Sequence, residues 1–295
     1  MIKKLITVKT GNLKMDGGAI FGVVPKLLWQ KEYPADPDNF IRLSMNSLLI
    51  DTGERKILID TGIGDKQDKK FQNNYIAESN DSMLNSLHIA GYDESMITDV
   101  VMTHLHFDHC GGGVKRTEDG KGYELTFPNA TYIISKSQWE NALKPNRKEK
   151  SSFLKENFLP IEESGQLRLI NGNEELIPDL YLKVYDGHTI GQLIPFIKFN
   201  GQTYVFVADL IPTTAHLKLP WIMALDMQPL LILREKEEFL NEAVKNNYAL
   251  IFQHDIKYEG IFLARTENGF EINKTFILKD VMSELATKKS ETIRQ

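Results

Sequence analysis

Cysteine is almost missing from this chain: Cys110 is the only one in 295 residues. An internal disulfide is therefore excluded, and a reducing, cytoplasmic setting is the expectation. Long apolar runs are missing too. No stretch approaches the ~20 residues needed to cross a bilayer, so no membrane partner is expected. The N-terminus, with Lys3 and Lys4, has neither a long apolar segment nor a small-residue cleavage site, so it does not read as a leader. A basic excess is also lacking. With 35 Lys and Arg against 40 Asp and Glu the formal charge is −5, and no dense basic run is present. Little is available to neutralise a phosphate backbone, and nucleic-acid partners are not expected.

Histidine is informative because it is concentrated. Of seven, three fall in one run, Thr103-His104-Leu105-His106-Phe107-Asp108-His109, directly after the apolar strand predicted over Asp99–Thr103. Alternation along a strand predicts that His104 and His106 share a face and grip one ion, with Asp108 continuing the parity. The glycines at 111–113 would let the backbone turn so that His109 reaches a second ion nearby. A helical zinc signature spaces its histidines by four, which does not apply here. Cys110 beside the run reads more readily as a small buried residue than as a ligand.

Elsewhere the pattern predicts a hairpin of Ser47–Asp51 and Lys56–Gly62, a helix over Ser82–Ala90, a strand at Thr131–Ser135 and a helix over Ser137–Lys144 stopped by Pro145. Lys144–Lys150 reads as a solvated polar loop, and Ser152–Leu159 as a short helix. The second half repeats the logic with strands at 181–188, 193–199 and 203–209, an Asn200-Gly201 turn, a long helix over Pro229–Asn246, a strand at 248–255 that ends in potential ligands, and two edge strands within Ile261–Lys274. Thr287–Gln295 reads as a frayed tail. Five histidines lie at or beyond predicted strand ends, beside Asp60, Asp108 and Asp209, where loops converge without disturbing a core. His88 reads as a helix-end residue. His216, in the loop after Asp209, is a candidate to touch substrate or its developing oxyanion.

The His-x-His-x-Asp-His run, with Asp60-Thr61-Gly62 before it and Gly187-His188-Thr189, Ala208-Asp209 and His254 after it, resembles the metallo-β-lactamase superfamily. This resemblance implies an α/β fold, an αββα sandwich of two mixed sheets between helical layers. The whole chain 1–295 would be a single hydrolase domain, with an N-terminal extension to about 45 and a C-terminal tail from about 286. His104, His106 and His188 would hold one metal, Asp108, His109 and His254 the other, and Asp209 would bridge. Asp60 would orient the histidine loop without binding metal. Nitrogen and carboxylate ligands without thiolate suit two divalent ions, zinc first, with iron, manganese or cobalt also suited. Such a pair sits ~3.5–4 Å apart and lowers the pKa of a bridging water to ~7, giving hydroxide at neutral pH. Asp108 is the natural proton shuttle.

Within the superfamily, the run from Met15 to Pro25 and the Ala208–Thr213 stretch most resemble the quorum-quenching N-acyl homoserine lactonases, a YtnP-like branch among them. A small lactone or ester would be the substrate. Two departures stand out. Pro212 lies where several such lactonases carry a tyrosine, a role His216 is expected to take, and the 187–192 motif lacks the usual proline and histidine at its fourth and sixth positions. The alternatives are an organophosphate triester hydrolase resembling methyl parathion hydrolase, an esterase or thioesterase, and a metal-binding module without turnover. The apolar segment Asp16–Tyr33 is expected to serve a homodimer and an acyl pocket through Phe21, Val24 or Trp29, unless it packs on its own core.

Overall fold

A computed structural model describes residues 1–293 apart from Glu78 and Asn80, without the side chains of Ala77 and of residues 286–293. In chain order the strands of the first half are β1 (Lys4–Asp16), β2 (Phe40–Asp51), β3 (Lys56–Ile59), β4 (Ile76–Ala77), β5 (Asp99–Val101), β6 (Val114–Arg116), β7 (Tyr123–Leu125), β8 (Thr131–Ser135) and β9 (Leu167–Ile170). The second half supplies β10 (Glu174–Ile177), β11 (Leu180–Tyr185), β12 (Gln192–Phe199), β13 (Gln202–Phe206), β14 (Ala249–Ile251), β15 (Gly260–Thr266) and β16 (Gly269–Phe276). The first sheet runs in the order β4-β1-β2-β3-β5-β8-β9; the second keeps the chain order β10 to β16; β6 and β7 form a separate ribbon. Both large sheets are mixed: β3-β5-β8-β9 are parallel in the first, β13 and β14 in the second.

The sheets face each other. Leu48, Ile50, Ile57, Ile59, Val101 and Ile133 from the first sheet join Leu180, Leu182, Leu193, Val205 and Leu250 from the second in one buried core. The opposite face of the first sheet buries Leu49, Leu58, Val100, Tyr132 and Ile134 under the helices Met83–Ile89 and Lys136–Leu143 through Leu87, Trp139 and Ala142. Those strands are apolar on both faces because both are covered. Pro229–Lys245 covers the second sheet with Ile232, Phe239, Leu240 and Ala243. The αββα layering expected from the family resemblance is present.

Several elements depart from the sequence reading. The N-terminal extension contributes to the first sheet, where β1 pairs with β2 from Lys4↔Asp51 to Asp16↔Phe40. The strand carrying the histidine run ends at Val101, two residues earlier than predicted. Ser152–Leu159 holds one 3₁₀ turn, Lys155–Asn157, after another that ends at Ser152, and the helix starts later, at Leu159–Glu163, where Pro160 supplies a first-turn residue with no N–H to lose. The tail read as frayed is helical through Ile293, in a helix running Leu278–Ile293. Arg294 and Gln295 lie outside the described residues.

Candidate metal centre

Beyond Val101 the chain leaves the sheet, so strand alternation does not set the histidine directions. His104 lies in the loop, His106 precedes the short helix Phe107–Cys110, and Asp108 and His109 sit on that helix. Their convergence comes from the turn, with ring centroids 4.5 Å apart for His104 and His106 and 3.8 Å for His104 and His109. The triple glycine also works differently from the expected sharp turn. A Cβ on Gly111 would lie 2.1 Å from the Ile63 carbonyl oxygen, and one on Gly112 2.2 Å from that of Thr61. Absence of a side chain lets the loop after Asp60 press directly on the histidine helix. The buried Lys66 ammonium donates to the Gly111 carbonyl in the same contact.

Two non-glycine residues next to the centre have left-handed backbone, Asp60 (φ 57°) and Ala208 (φ 40°). Such conformations persist where surrounding contacts over-determine them. Asp60 accepts from the Thr103 amide and hydroxyl, both at 2.7 Å, and from His109 Nδ1 at 3.0 Å. Ala208 precedes Asp209.

Three groups of side chains place ligand-type atoms within 4.8 Å of one another: His104, His106 and His188; His104, His109 and Asp209; and Asp108, His109 and His254. On four of the five rings the outward nitrogen bonds an oxygen that can only accept. His106 Nε2 lies 3.1 Å from Glu149, His188 Nδ1 2.9 Å from Asp226, His109 Nδ1 3.0 Å from Asp60, and His254 Nδ1 2.9 Å from the Ser44 carbonyl. In the neutral rings the inward nitrogens are thereby left as acceptors. Yet His106 Nδ1 and His188 Nε2 approach to 3.2 Å, and His109 Nε2 and His254 Nε2 to 3.1 Å. Facing lone pairs repel unless a proton or a cation lies near both. Two imidazoles on a tetrahedral ion, with bonds of ~2.0–2.1 Å, would place their nitrogens ~3.3 Å apart. His104 Nε2 is buried without a hydrogen-bond partner. Asp209 brings Oδ2 to 3.3 Å from His188 Nε2 and Oδ1 to 3.2 Å from His254 Nε2, spanning the two groups.

Electrostatics point the same way. Burial, helped by neighbouring His109 and His106, holds His104 well below the ordinary histidine range. Burial also lowers His106, against the pull of Glu149. At His109 burial is outweighed by Asp108 and Asp209, which hold the ring well above that range, and His188 and His254 are raised against burial with Asp209 as the leading charge. Asp209 itself is held well below the carboxylate range, because His109, His254 and His188 outweigh its desolvation. The centre therefore draws positive charge into a buried space, and its nitrogen and oxygen donors fit two divalent cations.

Glu149 and Asp226 escaped the sequence reading. Glu149 sits in the Lys144–Lys150 run, and the rest of that run is exposed or half-buried as expected; its carboxylate is buried and also accepts from Thr189, Asn141 and Asn146. A single acid amid cations was the available signal. Asp226, a lone acid after the apolar stretch Leu219–Leu225, offered a similar one. Cys110 is a buried free thiol whose burial pushes it up to about 12, in keeping with a packing role.

His216 is buried with both ring nitrogens engaged, Nδ1 with the Thr213 hydroxyl at 2.8 Å and Nε2 with the Ile20 carbonyl at 3.0 Å. Its ring stacks on Phe21 at 5.1 Å, and Phe21 stacks on Trp29. Phe21, Val24 and Trp29 are buried in the chain's own core, so the apolar N-terminal segment has an intrachain partner. The same cluster contains Ile63, Phe107 and Met223, with half-buried Phe71, Tyr75, Leu154, Trp221 and Leu225 against it. Phe71, Tyr75 and Phe107 form an aromatic triad with centroids 4.8–5.2 Å apart, and Phe107 lies between His106 and Asp108 in the chain.

A buried cluster of histidine and carboxylate donors able to hold metal ions goes with the class to which the chain belongs, the metal-dependent hydrolases. The chain belongs to the metallo-β-lactamase superfamily, whose family pattern matches residues 42–254. An N-acyl homoserine lactonase of Bacillus thuringiensis is 24% identical over 269 residues, covering 88% of this chain and 95% of that protein. The crystal structure of a probable metal-dependent hydrolase from Staphylococcus aureus is 32% identical, with a TM-score of 0.83 over 94% of this chain and 98% of that one. AidC, a dizinc quorum-quenching lactonase solved with a product, N-hexanoyl-L-homoserine, is 23% identical, with a TM-score of 0.75 over the same shares.

Proposed function

We propose that the chain opens the lactone ring of N-acyl homoserine lactones, using two divalent ions, zinc first among them, held by His104, His106 and His188 on one side and Asp108, His109 and His254 on the other, with Asp209 between. The observation that carries this reading is the pairwise approach of inward nitrogens at 3.1–3.2 Å on rings whose outward nitrogens are already engaged. When bound, such ions supply Lewis acidity and a water acidic enough to deliver hydroxide at neutral pH. The protein's part is to orient the rings through Asp60, Glu149, Asp226 and the Ser44 carbonyl, and to exclude bulk water. In this reading Asp108 carries a proton to the leaving alkoxide, which its partly accessible carboxylate, beside the fully buried His109, supports.

The aromatic triad supports an acyl chain or other apolar substituent as the group bound beside the metals. Phe21, Val24 and Trp29 back this wall from within. His216 acts through them: with both nitrogens engaged, it holds the N-terminal segment to the loop that carries Asp209. An aryl phosphotriester is the second reading, favoured by the same aromatic wall and by Pro212 in place of a hydroxyl donor. Cys110 as a lone, buried thiol fits a cytoplasmic enzyme. Val23, Leu27 and Leu28 present an exposed apolar face that suits a homodimer. Hydrolysis of acyl lactones and aryl phosphotriesters by metal-quantified protein, followed by acid release, tests the reading: lactone preference supports it, and turnover confined to phosphotriesters replaces it with the second.

A further inference from the structure

The helix Lys69–Tyr75 separates two spaces. Phe71 and Tyr75, one turn apart, pack on Phe107 beside the histidine cluster. Gln72 and Asn73 point away from that stripe, and together with Ile76 just past the helix they line a cavity of about 770 Å³. Thr10, Asn12 and Lys14 of β1 and Met83 and Leu84 of the helix Met83–Ile89 line it as well. Among the described residues, none of the candidate metal ligands lines this cavity, and neither do Phe71, Tyr75 or Phe107. Yet Met45, Ile63 and Ile76 belong both to its lining and to the apolar cluster around Phe107. The cavity thus lies behind the aromatic wall and shares side chains with it.

Its lining is graded. The buried part is largely apolar, with Met45, Ile63, Met83 and Val114, and the two methionines adapt to an apolar group of variable shape. The accessible part carries the side-chain amides of Asn12, Gln72 and Asn73, which offer donors and acceptors alike. Among the described residues Lys14 and Lys115 are matched there by Asp65 and Asp81, and Lys115 also pairs with Glu124 at 3.3 Å, so neither sign of charge prevails. An apolar interior of this volume with a few polar groups is the make-up of a small-molecule site. We infer that the cavity is a second binding site, taking an acyl chain with an uncharged amide head, and that its filling is felt at the aromatic wall through Ile63, Ile76 and the helix Lys69–Tyr75. A tail among Met45, Ile63 and Met83 bears on side chains that also pack around Phe107, and such coupling is reciprocal. A charged head would lose hydration without a net opposite charge to meet it. The coupling rests on the lactonase reading above; the binding does not.

The test titrates the full-length, metal-loaded protein calorimetrically with N-octanoylglycinamide, which has the tail and the amide but no lactone, beside octanoate and octylammonium. The amide should bind about tenfold or more tightly than either ion. Leu84→Trp, which fills the cavity from the Met83–Ile89 helix, should abolish that binding and leave turnover of a short-chain acyl lactone within a few-fold of wild type. Should it fail to fold, Asn73→Trp, at the accessible side, carries the same expectation. In the wild type the amide should shift KM for a long-chain acyl lactone by about fivefold or more, with an effect that saturates, and the Trp variant should lose that shift. No binding of the amide, octanoate binding equally well, or binding that survives the Trp substitution and simply competes with the lactone would overturn the site. Binding that the Trp variant loses, without any shift in KM, would overturn the coupling. Absence of lactone turnover would overturn the lactonase reading, while the calorimetry would still decide the site.

Discussion

His109 Nδ1 bonds the Asp60 carboxylate at 3.0 Å, and both side chains are fully buried. Because Asp60 also takes the Thr103 amide and hydroxyl, it fixes the start of the histidine loop and the His109 ring together. Asp60→Ala should weaken metal retention by about 10–100-fold and lower stability by about 3 kcal/mol, since Thr103 and His109 lose a buried charged acceptor. Metal content after dialysis against chelator, with denaturant unfolding, measures both. Unchanged retention would remove the orienting role.

His216 supports the fold through two hydrogen bonds and a stack, and burial pushes its pKa down to about 3. The unfolded chain takes up this proton below ~6.5, so the stability contribution is whole above that pH and is lost as pH falls from ~6.5 toward ~3, with each unit of the gap worth about 1.4 kcal/mol. His216→Ala should flatten that part of the stability–pH curve. His216→Gln, able to donate to the Ile20 carbonyl, should restore most of the stability and keep turnover within a few-fold. A fall in kcat of about 10²-fold or more in a folded Gln variant would instead indicate direct participation in the chemistry.

The aromatic triad sets the third expectation. Phe71→Ala removes one wall and should raise KM for long-chain acyl lactones by about tenfold or more, with little change for short ones, because burying an aromatic side chain is worth ~1.5–3 kcal/mol. Equal effects on both chain lengths would exclude this wall from the acyl site.

The exposed face of Val23, Leu27 and Leu28 predicts a dimeric mass in light scattering, reduced to a monomeric one by Leu27→Glu. A monomeric wild type would exclude the homodimer, and Phe21, Val24 and Trp29 would keep their packing role inside one chain.

Much of this centre could be read from the sequence because metal ligands of this kind lie just beyond apolar strands, and such strands announce themselves by composition. Asp60, Asp209 and His254 each follow a run such as Ile57–Ile59, Tyr204–Phe206 or Ala249–Ile251. The sheets were legible for the same reason. The directions of His104, His106 and Asp108 were not, because strand parity stops at Val101 and a short helix takes over. Glu149 and Asp226 were hidden because a buried acid in a loop has no periodicity; its partner is fixed only when chain segments 43 and 38 residues apart meet. Which of the two readings of the N-terminal segment holds was not legible, because its intrachain partners, His216 and Trp221, lie some 200 residues further along.

The central claim, a dinuclear hydrolase of acyl lactones, is met most directly by acid release from a graded series of N-acyl homoserine lactones, run on protein of measured metal content beside its chelator-stripped form. Turnover should require two equivalents of metal per chain and exceed that on aryl phosphotriesters. Equal activity in the stripped protein, or no lactone opening by protein carrying two metals, would contradict it.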